Sequence, residues 1–481
     1  MLNTSVIAVF KTFSSEEIKR FEEFLLSPYY NKKSVVLNLF KIIRKHRPEY
    51  KSDLLYRKKI WNKLYKGKEF NYGVMKNLIY DLGKCADKFM ELQNYERNNK
   101  LSVLNLMQEQ KNRYLNVAFE KSLKTFKNNL SEMKQDHEMF YYNYRVLKLE
   151  REFASGLGLA KAENRINEEN EIEFLTLFYM NECTDLYNSL FINGSYVKKN
   201  FKNKNPDLFI NYMEKFDQSY REITDCNLIN LKIILNNDDD NLYLKLKNIF
   251  RENSHKFSSS FNSNLGLTLI EFCNRSIMKG KTDYIKEMFE ISLYIFENEL
   301  LMDEKKEFIN PFVFTQIVST ACSLKKFDWI KLFIENNIGK ITPEQRDKFY
   351  NFANLTLNFK MKNYSDALSY ASKMEVKSPM DHVSIKRFQM MIYYESGFTD
   401  ELYSLFEAFK NFIIKNKKLN DSVRLQAGNF LKYTKRLSDL KFSNSSDHIS
   451  ISMLKKDLIQ SETINKTWLL EKTEELSSMK N

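Results

Sequence analysis

The strongest constraint on this chain is its shortage of the two residues that make turns, 11 glycines and 6 prolines in 481 residues. Globular chains average about 12% for the pair. Glycine reaches positive φ without steric cost, while proline fixes φ and lacks an N–H donor, so together they punctuate most tight turns. A β-sandwich or barrel needs such a turn roughly every 8–12 residues, and this chain cannot supply them. Long helices joined by short polar connectors need far fewer. The chain is 43% hydrophobic and 14% aromatic, which suffices for a large buried core and is unlike a disordered chain. An all-α fold is expected.

Residues 1–100 read as a small helical domain. Ser14 and Glu17 form a capping box, in which the Ser oxygen accepts from the third residue's N–H and the Glu reaches back. Ile18, Phe21, Phe24 and Leu25 follow on one helical face, and the helix should stop at Ser27 because the residue before Pro28 is pushed out of the α region. A second helix carries Val35, Val36, Leu39, Ile42 and Ile43 and ends near Pro48. Further helices fit 54–66 and 72–95. Residues 101–235 hold longer segments, apolar on much of their circumference around Phe140–Leu147 and Phe174–Tyr179.

The clearest internal order lies in 236–410. Five turns share an Asp followed two residues on by an aliphatic: Asp240/Leu242, Asp283/Ile285, Asp328/Ile330, Asp366/Leu368 and Asp400/Leu402. Their spacings are 43, 45, 38 and 34 residues. Asp suits a helix start because it accepts backbone N–H bonds and faces the positive end of the helix dipole. The sixth residue after each Asp is Leu246, Phe289, Ile334, Ser372 and Phe406, so four of the five helices place an apolar residue in the same phase. Helix pairs repeating at this period predict a solenoid.

Tyr364-Ser365-Asp366-Ala367-Leu368-Ser369-Tyr370-Ala371, with Pro379 beyond it, resembles the second helix of a tetratricopeptide repeat. The resemblance puts a helix-contacting small residue at Ala367, its preceding aromatic at Tyr364 and the closing proline at Pro379. Glu401 stands where the next repeat should have its Ala, Ala371 stands where an aromatic is expected, and no first-helix signature precedes Tyr364. It therefore implies a degenerate, irregular superhelix and no peptide-carboxylate clamp. Ile285, Ile330, Leu368 and Leu402 are expected to pack between repeats. The run Phe24–Asn31 also resembles uncharacterised bacterial helical proteins, which carries no activity with it. The expected architecture is an irregular solenoid of helix pairs over 101–440, clearest at 236–410. A small basic domain over 1–100 precedes it. A polar break at Ser443–Asp447 and a C-terminal capping helix over 450–478, within 441–481, close the chain.

The net charge of +13 is concentrated at the start. Residues 1–100 carry 21 Lys/Arg against 11 Asp/Glu, whereas the remaining 381 carry 54 against 51. Within 41–68 stand Lys41, Arg44, Lys45, Arg47, Lys51, Arg57, Lys58, Lys59, Lys63, Lys66 and Lys68 against only Glu49 and Asp53. Tyr50, Tyr56, Trp61, Tyr65, Phe70 and Tyr72 are interleaved with them. Cations for phosphates and aromatic faces for bases would suit nucleic acid. The same residues also fit a solvated basic face over a core containing Trp61 and Tyr65.

Little in the sequence points to catalysis. None of the five histidines, His46, His137, His255, His382 and His448, lies in a metal or triad motif. Asp381-His382 reads as a pair of solvated turn residues. Gly156-Leu157-Gly158 lacks the third glycine and the Lys of a phosphate loop, and Asp238–Asp240 lacks the Gly and Glu of a calcium loop. The five dispersed cysteines suit small buried hydrophobes in a reducing cytoplasm, and no apolar run approaches the length of a signal sequence or a membrane span. A cytoplasmic, non-catalytic protein–protein interaction scaffold is expected. It would have no cofactor, metal, small-molecule substrate or membrane partner. The alternative is a nucleic-acid-associated protein acting through its basic N-terminal domain.

Overall fold

The computed structural model describes residues 5–51, 53–157, 163–194, 206–216, 219–235, 239–302, 307–419, 421–442 and 448–478, and among them no β-strand forms. The described residues make 23 α-helices. The first seven are α1 Ser5–Thr12, α2 Ser15–Leu26, α3 Ser34–Arg44, α4 Arg57–Leu64, α5 Tyr72–Arg97, α6 Asn99–Asn112 and α7 Asn116–Ser131. The next eight are α8 His137–Gly156, α9 Glu163–Gly194, α10 Pro206–Lys215, α11 Arg221–Leu235, α12 Asp240–Asn253, α13 Ser259–Met278, α14 Tyr284–Glu297 and α15 Pro311–Ser323. The last eight are α16 Phe327–Asn337, α17 Pro343–Lys360, α18 Tyr364–Ser372, α19 Pro379–Ser396, α20 Thr399–Lys415, α21 Asp421–Phe442, α22 His448–Gln460 and α23 Lys466–Ser478. Two compact units result, Met1–Asn129 with Lys148–Leu159 and Leu130–Leu147 with Ala160–Asn481.

In the first unit the capping box forms as the sequence predicts. Glu17 N–H donates to Ser14 Oγ at 3.1 Å, and Ser14 N–H donates to the Glu17 carboxylate at 2.8 Å. That backbone bond leads the interactions holding the Glu17 carboxyl below its usual range. Helix α2 stops at Leu26, with Ser27 extended ahead of Pro28. Behind it Phe21 packs its ring 4.9 Å from Phe40, 5.2 Å from Phe89 and 5.6 Å from Phe10. Burying each such ring contributes about 1.5–3 kcal/mol. The apolar start of the chain joins this core through Val6, Ile7 and Phe10 of α1.

In the second unit the helices of the repeat region pack against their neighbours in chain order. The five Asp turns introduce α12, α14, α16, α18 and α20, every second helix. Leu246, Phe289, Ile334 and Phe406 are buried, as their common phase predicts, while Ser372 is exposed at the end of the short α18. Asp240, Asp328, Asp366 and Asp400 sit within the first helical turn, and Asp239 is the residue that caps α12, accepting from Asn241 and Leu242.

The turn ahead of the Asp carries a second periodic feature, one that lies in the backbone. Helices α13, α15, α17 and α19 each end with an N–H reaching back five residues. These bonds are Lys281→Ser276, Lys326→Ala321, Asn363→Asn358 and Phe398→Tyr393, at 2.9–3.0 Å. This is the Schellman closure, which needs a left-handed residue just past the helix end. Gly280, Lys325, Lys362 and Gly397 fill that place with φ of 97°, 58°, 64° and 74°. Prolines mark the opposite ends. Pro206, Pro311, Pro343 and Pro379 are each the first residue of a helix, where a missing N–H costs nothing.

Between repeats the contacts are both apolar and polar. Tyr243 and Lys247 of α12 donate to Glu287 of α14, Lys281 and Tyr284 donate to Asp240, and the hydroxyls of Ser254 and Tyr294 pair. Phe289 meets Trp329 and Phe296 meets Phe333 in the next step. Gly266 lets α13 and α14 close up, since a Cβ there would meet Ile295 Cδ1 at 2.8 Å.

The C-terminal stretch is a hairpin of two helices, α22 and α23, and not the single helix expected over 450–478. Asn465 has a φ of 52°, and Lys466 turns back to donate to the carbonyls of Ile459 (2.7 Å) and Ser461 (3.2 Å) at the end of α22. The predicted break at Ser443–Asp447 lies outside the described residues. Helix α23 is locked to α19, with Trp468 Nε1 donating to Glu395 at 2.9 Å and Lys472 bridging Glu395 and Glu475 at 2.9 and 2.8 Å. It also touches α13, far earlier in the chain.

The left-handed turn residues give a direct test. A non-glycine residue there costs roughly 1–2 kcal/mol in conformational strain. Lys362→Gly is therefore expected to stabilise the protein by about 0.5–1 kcal/mol, and Gly397→Ala to destabilise it by about 1 kcal/mol. Urea melts of the two variants check the opposite signs.

Candidate functional site

The basic cluster at 41–68 is built by α3, α4 and the turns around them. On α3, Lys41 and Arg44 both pair with Glu22 of α2. Arg47 donates to the carbonyls of Phe13 (3.0 Å) and Ser14 (3.5 Å), fastening the link between α1 and α2. These three cations, predicted as a patch, are committed to unit 1 itself. On α4, Ile60, Trp61 and Leu64 turn inward, and at about 100° per residue this leaves Lys58, Lys59 and Lys63 outward. Arg57 lies over the Tyr72 ring at 5.2 Å and Lys58 over Phe70 at 5.9 Å. Lys45, Lys59, Lys63, Lys66 and Lys68 are exposed and form no ion pair among the described residues.

The interleaved aromatics divide similarly. Tyr50 and Trp61 are buried, and Trp61 packs on Tyr65 and Phe70 while its Nε1 donates to Lys68 O at 2.9 Å. Only Tyr56 and Tyr72 of the six remain largely exposed. Most of the aromatic signal is therefore core.

The second unit holds a cavity of about 870 Å³ that the sequence did not reveal. Its wall is the C-terminal half of α13, the first turn of α19, the first turns of α21 and the α22–α23 turn. The fold brings these together because α23 is locked to α19 and reaches α13. Glu271 and Arg275 face the cavity one turn apart on α13. Burial pushes the Glu271 carboxyl above the usual range, with Arg275 and then Asn274 pulling against it. Lys466 is buried, and burial lowers its ammonium against the pull of Glu462, but it is held by the carbonyls that it caps. The lining contains charges of both signs, amides, methionine and valine, and it includes no His, Cys or Tyr. Such a set can recognise a polar or mixed surface, and it contains no paired nucleophile and base.

Other chemistry-bearing residues are tied into the fold. Asp381 and His382 are not solvated turn residues but part of α19. Burial pushes the Asp381 carboxyl up, yet Lys348 (2.6 Å) and the Ser378 cap outweigh it and hold it below its ordinary value. His382 stacks on Phe412 with ring centres 3.9 Å apart. Cys226, Cys273 and Cys322 are buried as expected, and burial pushes the Cys273 and Cys322 thiols up to about 12. Cys85 and Cys183 are half-buried. No group of His, Cys, Asp or Glu among the described residues is arranged to hold a metal ion, and Gly158 and Asp238 lie outside those residues. No described helix is long and apolar enough to cross a membrane.

The repeat-packing positions behave unevenly. Ala367, Ile330 and Leu402 are fully buried, while Tyr364, Leu368, Ile285 and Pro379 are half-buried. Comparison of the chain with protein-family models, with curated proteins and with solved structures found no match.

The division of the basic residues predicts a split in stability. Arg47→Ala removes two bonds to a loop and is expected to cost about 1–3 kcal/mol. Lys59→Ala with Lys63→Ala should change stability by less than about 0.5 kcal/mol. Denaturant titration of both variants distinguishes them.

Proposed function

We propose that this chain is a non-catalytic protein–protein interaction scaffold, whose repeat unit holds a segment of a partner protein. The observation that carries this reading is the cavity of about 870 Å³ assembled from α13, α19, α21 and the α22–α23 turn. Its charges and amides fit recognition, and they come from helices that are distant in sequence yet fixed by repeat packing. The degenerate tetratricopeptide-like character of the repeats supports it, through the buried Ala367 on α18 and Pro379 opening α19. We place the protein in a bacterial cytoplasm, on the resemblance of Phe24–Asn31 and on its free, dispersed cysteines.

A photo-crosslinking amino acid placed at Met380 or Val423, in the cavity wall, tests this in cells. Both positions are expected to yield the same discrete protein adduct, and exposed Leu332, which lies outside the cavity, should not. Identical adducts at all three positions, or none at the cavity, would remove the reading.

A second reading rests on the exposed, unpaired lysines of α4 and the turn after it. Lys59, Lys63, Lys66 and Lys68, beside exposed Tyr56 and Tyr72, suit contacts to nucleic-acid phosphates. Anisotropy with a single-stranded oligonucleotide should show binding that falls steeply with salt and weakens about tenfold or more on Lys59→Glu with Lys63→Glu. Salt-independent binding, or none, excludes it.

A further inference from the structure

A separate groove lies between α20 and α21, on a surface that none of the preceding features uses. Its volume is about 350 Å³. Helix α20 contributes Phe406, Lys410, Ile413 and Ile414, and α21 contributes Gly428, Leu431, Lys432 and Lys435. Each set follows helical spacing, so two stripes face one another over two turns, roughly 10–12 Å at 1.5 Å rise per residue. Ile414 is 64% exposed at the groove.

Charge and backbone both single out this groove. Lys410, Lys432 and Lys435 rim it against one lining carboxylate, Glu407; Lys432 lies over the Tyr433 ring at 5.2 Å and acts on Asp457, and none of the three lysines forms an ion pair among the described residues. Composition does not account for this, since residues 101–481 carry nearly equal numbers of cations and anions. Three lysines of this unit that pack between helices, Lys247, Lys348 and Lys472, are by contrast paired with Glu287, Asp381 and Glu395. Gly428 sits inside the 22-residue helix α21, where glycine is among the least favourable residues. A Cβ at Gly266 would meet Ile295 Cδ1 at 2.8 Å, but a Cβ at Gly428 would meet nothing within 4 Å. Nothing inside the protein requires that glycine, and its missing side chain leaves the groove floor open.

We infer that this groove binds an amphipathic acidic peptide segment, two large apolar side chains seated between α20 and α21 with Asp or Glu side chains meeting the lysine rim. Two facing stripes of about two turns match anchors spaced three or four residues apart, the pattern of a helix laid in a groove. Nucleic acid fits less well, because the groove's one aromatic, Phe406, is buried and offers no face for base stacking. The exposed lysine rim favours a segment carrying carboxylates over an uncharged lipid tail. The site is distinct from the α13–α22 cavity and does not depend on what that cavity holds.

The test is display selection with a random library of peptides of about 12 residues against the full-length protein, counter-selected on Gly428→Trp, which fills the floor. Binders lost on Gly428→Trp should carry two apolar residues three or four apart and an excess of Asp and Glu. Their affinity is expected to fall about tenfold or more on Gly428→Trp, and several-fold with added salt or on Lys432→Glu with Lys435→Glu. Gly428→Ala should retain the fold and melt at a higher temperature. If Gly428→Trp fails to fold, the exposed double lysine variant decides in its place. Selected peptides that are basic or neutral, peptides that bind wild type and both variants equally, or displacement of the peptides by equimolar laurate would each overturn the proposal. Because the crosslinking positions Met380 and Val423 lie outside this groove, the scaffold reading and this one can fail separately.

Discussion

The repeat unit depends on one backbone arrangement, the hydrogen bond that closes α13, α15, α17 and α19 by reaching five residues back. A helix end leaves carbonyls without partners, and the Schellman closure satisfies them while reversing the chain within two or three residues. The same closure recurs at 276–281, 321–326, 358–363 and 393–398, each time just ahead of the next helix, α14, α16, α18 or α20. Phe289, Ile334 and Phe406, on three of the helices that follow these closures, are buried. With so few glycines in the chain, lysine fills the left-handed place in two of the four turns, and side-chain packing has to outweigh that strain.

Packing between repeats combines apolar area with a ladder of polar contacts. Asp240, Tyr243 and Lys247 on α12, and Ser254 at its C-terminal end, find Lys281, Tyr284, Glu287 and Tyr294 about one repeat later. Directional contacts of this kind fix the register between helices that hydrophobic area alone would leave free to slide. At the C-terminus the Glu395–Lys472–Glu475 cluster does the same for α23. Burial works to lower the Lys472 ammonium, but Glu475 and Glu395 outweigh it and hold it above the ordinary lysine value. The anchored hairpin then reaches α13, where a simple stack would contact only its neighbours, and this long-range contact converts a repeat surface into a walled cavity.

Local chemistry was the legible part of the fold. The capping box at Ser14 and Glu17, the stop before Pro28, the inward Trp61 and the alternate-helix spacing of the Asp turns all rest on interactions within a few residues. The α22–α23 hairpin was missed because its turn is stabilised by Lys466 reaching back to Ile459 and Ser461, and a lysine carries no turn signal in a sequence. The partners of the basic cluster are long-range for a related reason. Lys41 and Arg44 find their partner in Glu22, and Arg47 finds its partners at Phe13 and Ser14, some twenty to thirty-five residues away.

By itself the sequence determined the all-α class, the helix boundaries at prolines and caps, and the repeat period, because each follows from hydrogen bonds and side-chain periodicity within one or two helical turns. Only the tertiary structure decided which lysines are exposed without an ion partner, and which residues share a surface. The cavity joins 271–279 to 459–466, and the lysine-rimmed groove joins α20 to α21. Those neighbours are set by packing energy summed over many helices, which no local pattern encodes.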